Sequence, residues 1–153
     1  MKKLEGLYQE LEKYSDFSKS GNAEKFLETV DKVIILKNST SIEKLMKYFD
    51  DDSEYGWVLE SLKVGLDNYP DQIHAKAVIK EIPCMMERAP KWLLSLIYRI
   101  FNNPSSLMQF RNNMDLIPKK SMLEFLNLVA KESEYHRDLC NELKKELVSD
   151  YKE

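Results

Sequence analysis

Apolar residues recur at helical spacing along almost the whole chain, and prolines rather than glycines separate one run from the next. The 153 residues include only four glycines, while the five prolines fall at positions 70, 83, 90, 104 and 118. Recurrence at i, i+3, i+4 and i+7 puts side chains on one face of a helix. Proline suits the first turn of a helix, because its missing N–H would have had no partner there. A chain patterned this way has little choice but short helices joined by short turns, so the fold class it predicts is all-α.

The pattern resolves into about eight or nine helices. Leu4, Leu7, Tyr8 and Leu11 form the first stripe. Phe26, Leu27, Val30, Val33 and Ile34 form the second, with Asn22 as its N-cap. Ile42, Leu45, Met46 and Phe49 form a third that opens at Thr40 or Ser41. Ser53 opens a fourth, carrying Val58, Leu59, Leu62, Leu66 and Tyr69. Asp71 caps a fifth through Ile82, which Pro83 ends or kinks, with a turn through Met85 and Met86 after it. The rest are Lys91–Phe101, a helix opened by Asn103-Pro104, Lys119–Lys131, and Glu134–Val148. Val33–Leu36 is the one run that could be a strand, but it continues a helical stripe.

The sixth and eighth of these helices are apolar on nearly every face, and such helices are surrounded by others. They are expected at the centre, with the singly striped first and last helices outside. Short antiparallel hairpins suggest HEAT- or armadillo-like stacking, although no internal repeat is evident. A length of 153 residues fits one domain over 1–153 with a core of its own.

Hydrophobic residues make up 43% and charged residues 32%, too apolar a balance for a disordered chain. The net charge is −3 and no basic tract stands out. A positive surface supplies most nucleic-acid affinity, so direct nucleic-acid binding is not expected, and a basic partner suits the chain better. Glu5, Gln9, Glu10 and Glu12 interrupt any apolar leader, and Ser95 and Arg99 break the longest apolar stretch. Neither a secretory signal nor a membrane span is expected, and the protein is placed in the cytosol. Cys84 and Cys140 lie in apolar patterns and read as free, largely buried thiols.

No glycine-rich phosphate loop and no G-x-S-x-G elbow occurs, so neither a nucleotide site nor a hydrolase nucleophile is indicated. His74 and His136 are the only histidines. Glu132, His136 and Cys140 have i, i+4, i+8 spacing along one helix face, which offers three metal ligands without a fourth. A solvated Glu–His pair beside a buried thiol is the preferred reading, with no metal and no cofactor. The chain is read as a binding protein and not an enzyme.

Asp50-Asp51-Asp52-Ser53-Glu54 is the densest charge run. It lacks the alternation and central glycine of a calcium loop. Carboxylates just ahead of a helix favour its positive end, so capping explains them in part. Tyr55 and Trp57 follow directly, and large aromatics beside acidic groups make interface anchors. Tyr55 is expected at the surface, whereas Trp57 could equally be core. Asp50, Asp51, Asp52, Glu54 and Tyr55 are therefore the candidate partner contacts.

The segment from Ala89-Pro90-Lys91-Trp92 through Asn103, with Asp50-Asp51-Asp52 and Trp57–Leu62, resembles small all-helical immunity proteins of bacterial polymorphic toxin systems. The nearest is the Imm30-like group, which includes proteins of contact-dependent growth inhibition. The likeness spans roughly residues 40–130. It implies a cytosolic antitoxin that binds and neutralises a cognate toxin domain. Many such toxins are nucleases with basic clefts, which an acidic binder could cover. The other reading of the same features is a helical scaffold or adaptor for a host protein.

Overall fold

The computed structural model describes residues 2–149, and these form nine α-helices with no strand among them. The helices are α1 (Lys2–Lys13), α2 (Asn22–Ile35), α3 (Ser41–Met46), α4 (Gly56–Leu66), α5 (Asp71–Arg88), α6 (Pro90–Phe101), α7 (Pro104–Asn112), α8 (Lys119–Glu132) and α9 (Arg137–Ser149). The all-α expectation holds. The chain divides into two compact units, Met1–His74 and Ala75–Glu153.

In the first unit α2 is the hub, packed by α1, α3 and α4. Leu4, Leu7 and Leu11 bury the predicted stripe of α1, and Phe26, Val30 and Val33 bury that of α2. Asn22 is not the N-cap of α2. That position belongs to Gly21, whose φ of 79° is open to glycine without strain. Asn22 is the first helical residue, and its side-chain amide donates to the Asp16 carbonyl at 3.0 Å. The helix α4 opens at Gly56 and not at Ser53, because residues 50–55 are occupied by a hydrogen-bonded turn of their own. At its far end Gly65 meets the side chains of Ile34 and Val30, so α2 and α4 approach closely there. Buried Ser41 and Tyr69 share a hydroxyl–hydroxyl hydrogen bond that ties the start of α3 to the chain beyond α4.

Within the second unit, Leu93, Leu96, Ile97 and Ile100 of α6 and Met122, Phe125, Leu126 and Val129 of α8 are buried. Pro83 does not end α5, which runs on to Arg88. An internal proline costs about 3 kcal/mol. Here Ile79, Ile82, Met85 and Ala89 are all fully buried on both sides of it, and that burial offsets the cost of continuing the helix. Asn103 caps α7 as its sequence suggests, its side chain accepting from Ser106 N at 3.1 Å. Edge contacts link Phe101 to Phe110, and a tilted contact links Phe110 to Phe125. The singly striped α9 buries Cys140 and Leu143 against α8, with Lys144 donating to Asn127 at 2.8 Å.

Candidate partner-binding surface

The acidic turn between α3 and α4 is built by its own side chains. Asp50 Oδ1 accepts from Asp52 N at 2.9 Å, and Ser53 Oγ accepts from Tyr55 N at 3.1 Å. Both bonds close local turns of the kind that short polar side chains favour. No side chain caps α4, whose N-cap residue is Tyr55. The side chain of the N-cap residue therefore does not satisfy the first turn of α4. Asp50, Asp52 and Glu54 point their charge into solvent, while Asp51 is half-buried.

Aromatic rings support the turn from beneath. Tyr55 meets Phe17 edge-on at 6.0 Å, Phe17 meets Phe26 at 4.9 Å, and Phe26 meets Tyr48 at 5.1 Å. The Tyr48 hydroxyl donates to Glu12 at 2.8 Å. Burial first, and then the Glu12 carboxylate, push its phenol well above the ordinary range. The chain ending α1 brings Asp16 to the same place. Its side chain accepts from the Ser18 hydroxyl and from Ser18 N, and these bonds hold its carboxyl below the usual range.

A shallow hollow of about 380 Å³ results, lined among others by Asp16, Tyr48, Asp50, Asp52, Glu54 and Tyr55. It brings together four of the five candidate residues, Asp51 being the exception. Sequence reasoning missed Asp16 and Tyr48. Nothing in the spacing of residues 16 and 48 shows that two separate turns converge.

Of the two aromatics, Tyr55 is less exposed than expected, and Trp57, which the sequence left open, lies at the surface. Tyr55 is half-buried against Phe17, whereas Trp57 is 54% exposed. The buried stripe of α4 is Val58, Leu59, Leu62 and Leu66, and at 100° per residue Trp57 falls on the opposite side.

The charge is unevenly divided. Up to His74 the chain has 15 Asp and Glu against 10 Lys and no Arg; from Ala75 onward it has 11 against 13. The modest overall charge thus conceals an acidic first unit that holds the hollow.

The second unit resolves the remaining candidates. Glu132, His136 and Cys140 do not share a helix: Glu132 ends α8, His136 lies in a 3-10 turn over Glu134–His136, and Cys140 is in α9. The predicted final helix starting at Glu134 begins only at Arg137. Among the described residues no group of three His, Cys, Asp or Glu is placed to hold a metal. Both nitrogens of His136 are engaged, Nδ1 with Ser133 Oγ at 2.7 Å and Nε2 with Asn102 Oδ1 at 2.8 Å. Both thiols are free, but only Cys140 is buried, with burial pushing it up to about 11; Cys84 is exposed, contrary to expectation. No helix among the described residues is long and apolar enough to cross a membrane.

Helices that carry a carboxylate-lined hollow on an acidic unit define an all-α protein with no metal cluster among the described residues. Comparison with known families makes the assignment specific. The model of immunity protein 30 matches residues 13–110, a span that contains the hollow, and the chain belongs to that family. Membership implies an immunity protein that binds a cognate toxin protein. No curated protein and no solved structure matches the chain.

Proposed function

We propose that this immunity protein neutralises a nuclease toxin in the cytosol by covering the toxin's active or substrate-binding surface. Asp50, Asp51, Asp52, Glu54 and Tyr55 make the first contacts. A nuclease needs a basic cleft to hold its phosphate backbone. The carboxylates of the acidic turn occupy that cleft in place of nucleic acid, and polymorphic toxin systems with contact-dependent delivery are the setting.

The observation that carries this reading is the convergence of Asp50, Asp52 and Glu54 with Asp16 around the rings of Tyr48 and Tyr55. Of the four carboxylates, those of Asp16 and Asp50 are already held by hydrogen bonds from Ser18 and from Asp52 N, so fixing these two on binding loses little side-chain entropy. Opposite charge across the interface also speeds encounter.

The test is a pull-down from the native host with the full chain as bait and a high-salt wash, followed by a nuclease assay of what is retained. The expected result is one dominant partner, the C-terminal part of a large secreted protein. Its nuclease activity should be silenced by this chain and restored by D52K/E54K. A retained toxin with no nuclease activity would remove the substrate assignment. A toxin inhibited equally well by D52K/E54K would remove the site.

A further inference from the structure

The pair α2 and α4 presents a second surface, separate from the hollow. The two helices run in the same direction. At their far ends Gly65 lies against Ile34 and Val30, and at their near ends Tyr55 and Phe26 flank the ring of Phe17. Each residue turns the helix by about 100°. For parallel neighbours, the residue after the contact on one helix and the residue before it on the other therefore face the same side. Ile35 and Val64 are those residues here, and they are 74% and 58% exposed. Trp57 precedes Val64 by two turns and shares its side at 54% exposure. Along α2 the same side carries Glu24, Glu28 and Asp31, at 11, 7 and 4 residues before Ile35, and all three are exposed.

One face thus holds an apolar ridge of Trp57, Val64 and Ile35 beside a row of three carboxylates. None of the three is paired with a cation among the described residues. Lys32 follows Glu28 by four residues, about 40° round the helix, and so borders the row, while Lys25 sits over the Tyr14 ring at 5.4 Å and Lys63 is paired with Glu60 at 2.9 Å. The carboxylate row and Ile35 extend over roughly 16 Å at 1.5 Å per residue. A large exposed indole next to further exposed apolar side chains is the composition of an interface centre, and charges at its rim steer the approach.

We propose that this face binds an amphipathic basic helix of the toxin domain. The apolar stripe of that helix meets Trp57, Val64 and Ile35, and its Lys and Arg side chains lie along Glu24, Glu28 and Asp31. The inference rests on the immunity reading and adds a contact surface to it. The hollow and this face would hold the toxin at two places, the hollow at its cleft and the ridge at a helix outside it.

The test uses the toxin domain captured as above, with the full chain. Trp57→Ala should weaken binding at least about 30-fold, the loss expected of a central interface tryptophan. E24K/E28K/D31K should slow association about 10- to 100-fold at low salt, with the difference fading at high salt. In a Trp92→Phe background, emission from Trp57 should shift to shorter wavelength on binding. Hydrogen exchange of the unmodified complex should show matching protection in α2 and α4, and this reading does not depend on any variant folding. If the captured toxin binds W57A and E24K/E28K/D31K as tightly as the unmodified chain, with no protection of α2 and α4, the second surface is wrong and the immunity reading stands. If no toxin domain is captured at all, the immunity reading fails and this surface fails with it.

Discussion

A Cβ on Gly65 would lie 3.1 Å from Cδ1 of Ile34, closer than ordinary van der Waals contact. With no side chain at Gly65, the end of the Ile34 side chain packs directly against α4, and a Cβ there would need it to give by a few tenths of an ångström. Gly65→Val should therefore push the helices apart. Overpacking of this kind costs about 1–3 kcal/mol, and thermal unfolding should show a corresponding fall in Tm. Unchanged stability would mean that Ile34 yields freely and that the spacing is not fixed by this contact.

The acidic turn separates charge from structure residue by residue. Asp50 accepts a backbone hydrogen bond from Asp52, whereas among the described residues no hydrogen bond made by the carboxylate of Asp52 or Glu54 holds the turn. D52K/E54K should thus leave Tm unchanged and slow toxin association by roughly tenfold or more at low salt. Asp50→Ala should lower Tm as well, by the loss of a hydrogen bond worth about 1 kcal/mol. Equal effects of the two variants on Tm would show that the turn does not depend on Asp50.

Periodicity made the helical architecture legible, because buried stripes such as Leu4-Leu7-Leu11 and Leu93-Leu96-Ile97-Ile100 are written directly into the spacing. The cap at Asn103 was legible for the same reason: its bond to Ser106 is local. Errors arose where distant packing decides. Burial of Ile82 and Met85 overrides the break that Pro83 signals, and a glycine in the left-handed region displaces Asn22 as a cap. Helix phase alone would have placed Trp57 outside, since Val58, Leu59, Leu62 and Leu66 define the opposite side. The i, i+4, i+7 row of Glu24, Glu28 and Asp31 was also visible in the sequence. Its pairing with Trp57 was not, because that depends on α2 and α4 being parallel neighbours.

The two thiols should differ sharply in reactivity. Cys84 is exposed, while Cys140 is fully buried and its thiol is pushed up to about 11 by desolvation. The thiolate is the reacting form, so Cys140 is protected both by access and by ionisation. An aromatic disulfide reagent at pH 8 should titrate one thiol rapidly and the second only in denaturant. Cys84→Ser should abolish the rapid phase. A rapid phase that survives this substitution would mean that the packing around Cys140 opens readily.

His136 joins three elements of the second unit. Its ring stacks on Tyr98 at 5.2 Å with the planes 9° apart, and Phe101 meets it edge-on. Asn102 Oδ1 accepts from Nε2, which leaves Nδ1 to accept from the Ser133 hydroxyl, so the network describes a neutral imidazole. Desolvation lowers its pKa below the ordinary 6.5. A folded-state pKa lower than the unfolded one means that the unfolded chain binds more protons between the two values. The stabilisation is therefore complete above pH 6.5 and is lost as pH falls from there through the folded-state value. His136→Phe retains the ring but cannot titrate, so the difference in stability between it and the unmodified chain should shrink from pH 7.5 to pH 5.5. The Ser133 oxygen can still accept from a protonated Nδ1, and hence acid should weaken this junction without separating its hydrogen-bonded partners. Asn102→Ala, which leaves the Nε2–H without its acceptor, should cost about 1 kcal/mol at neutral pH. A constant difference between the unmodified chain and H136F across this range would show that His136 ionises as freely in the folded protein as in the unfolded chain.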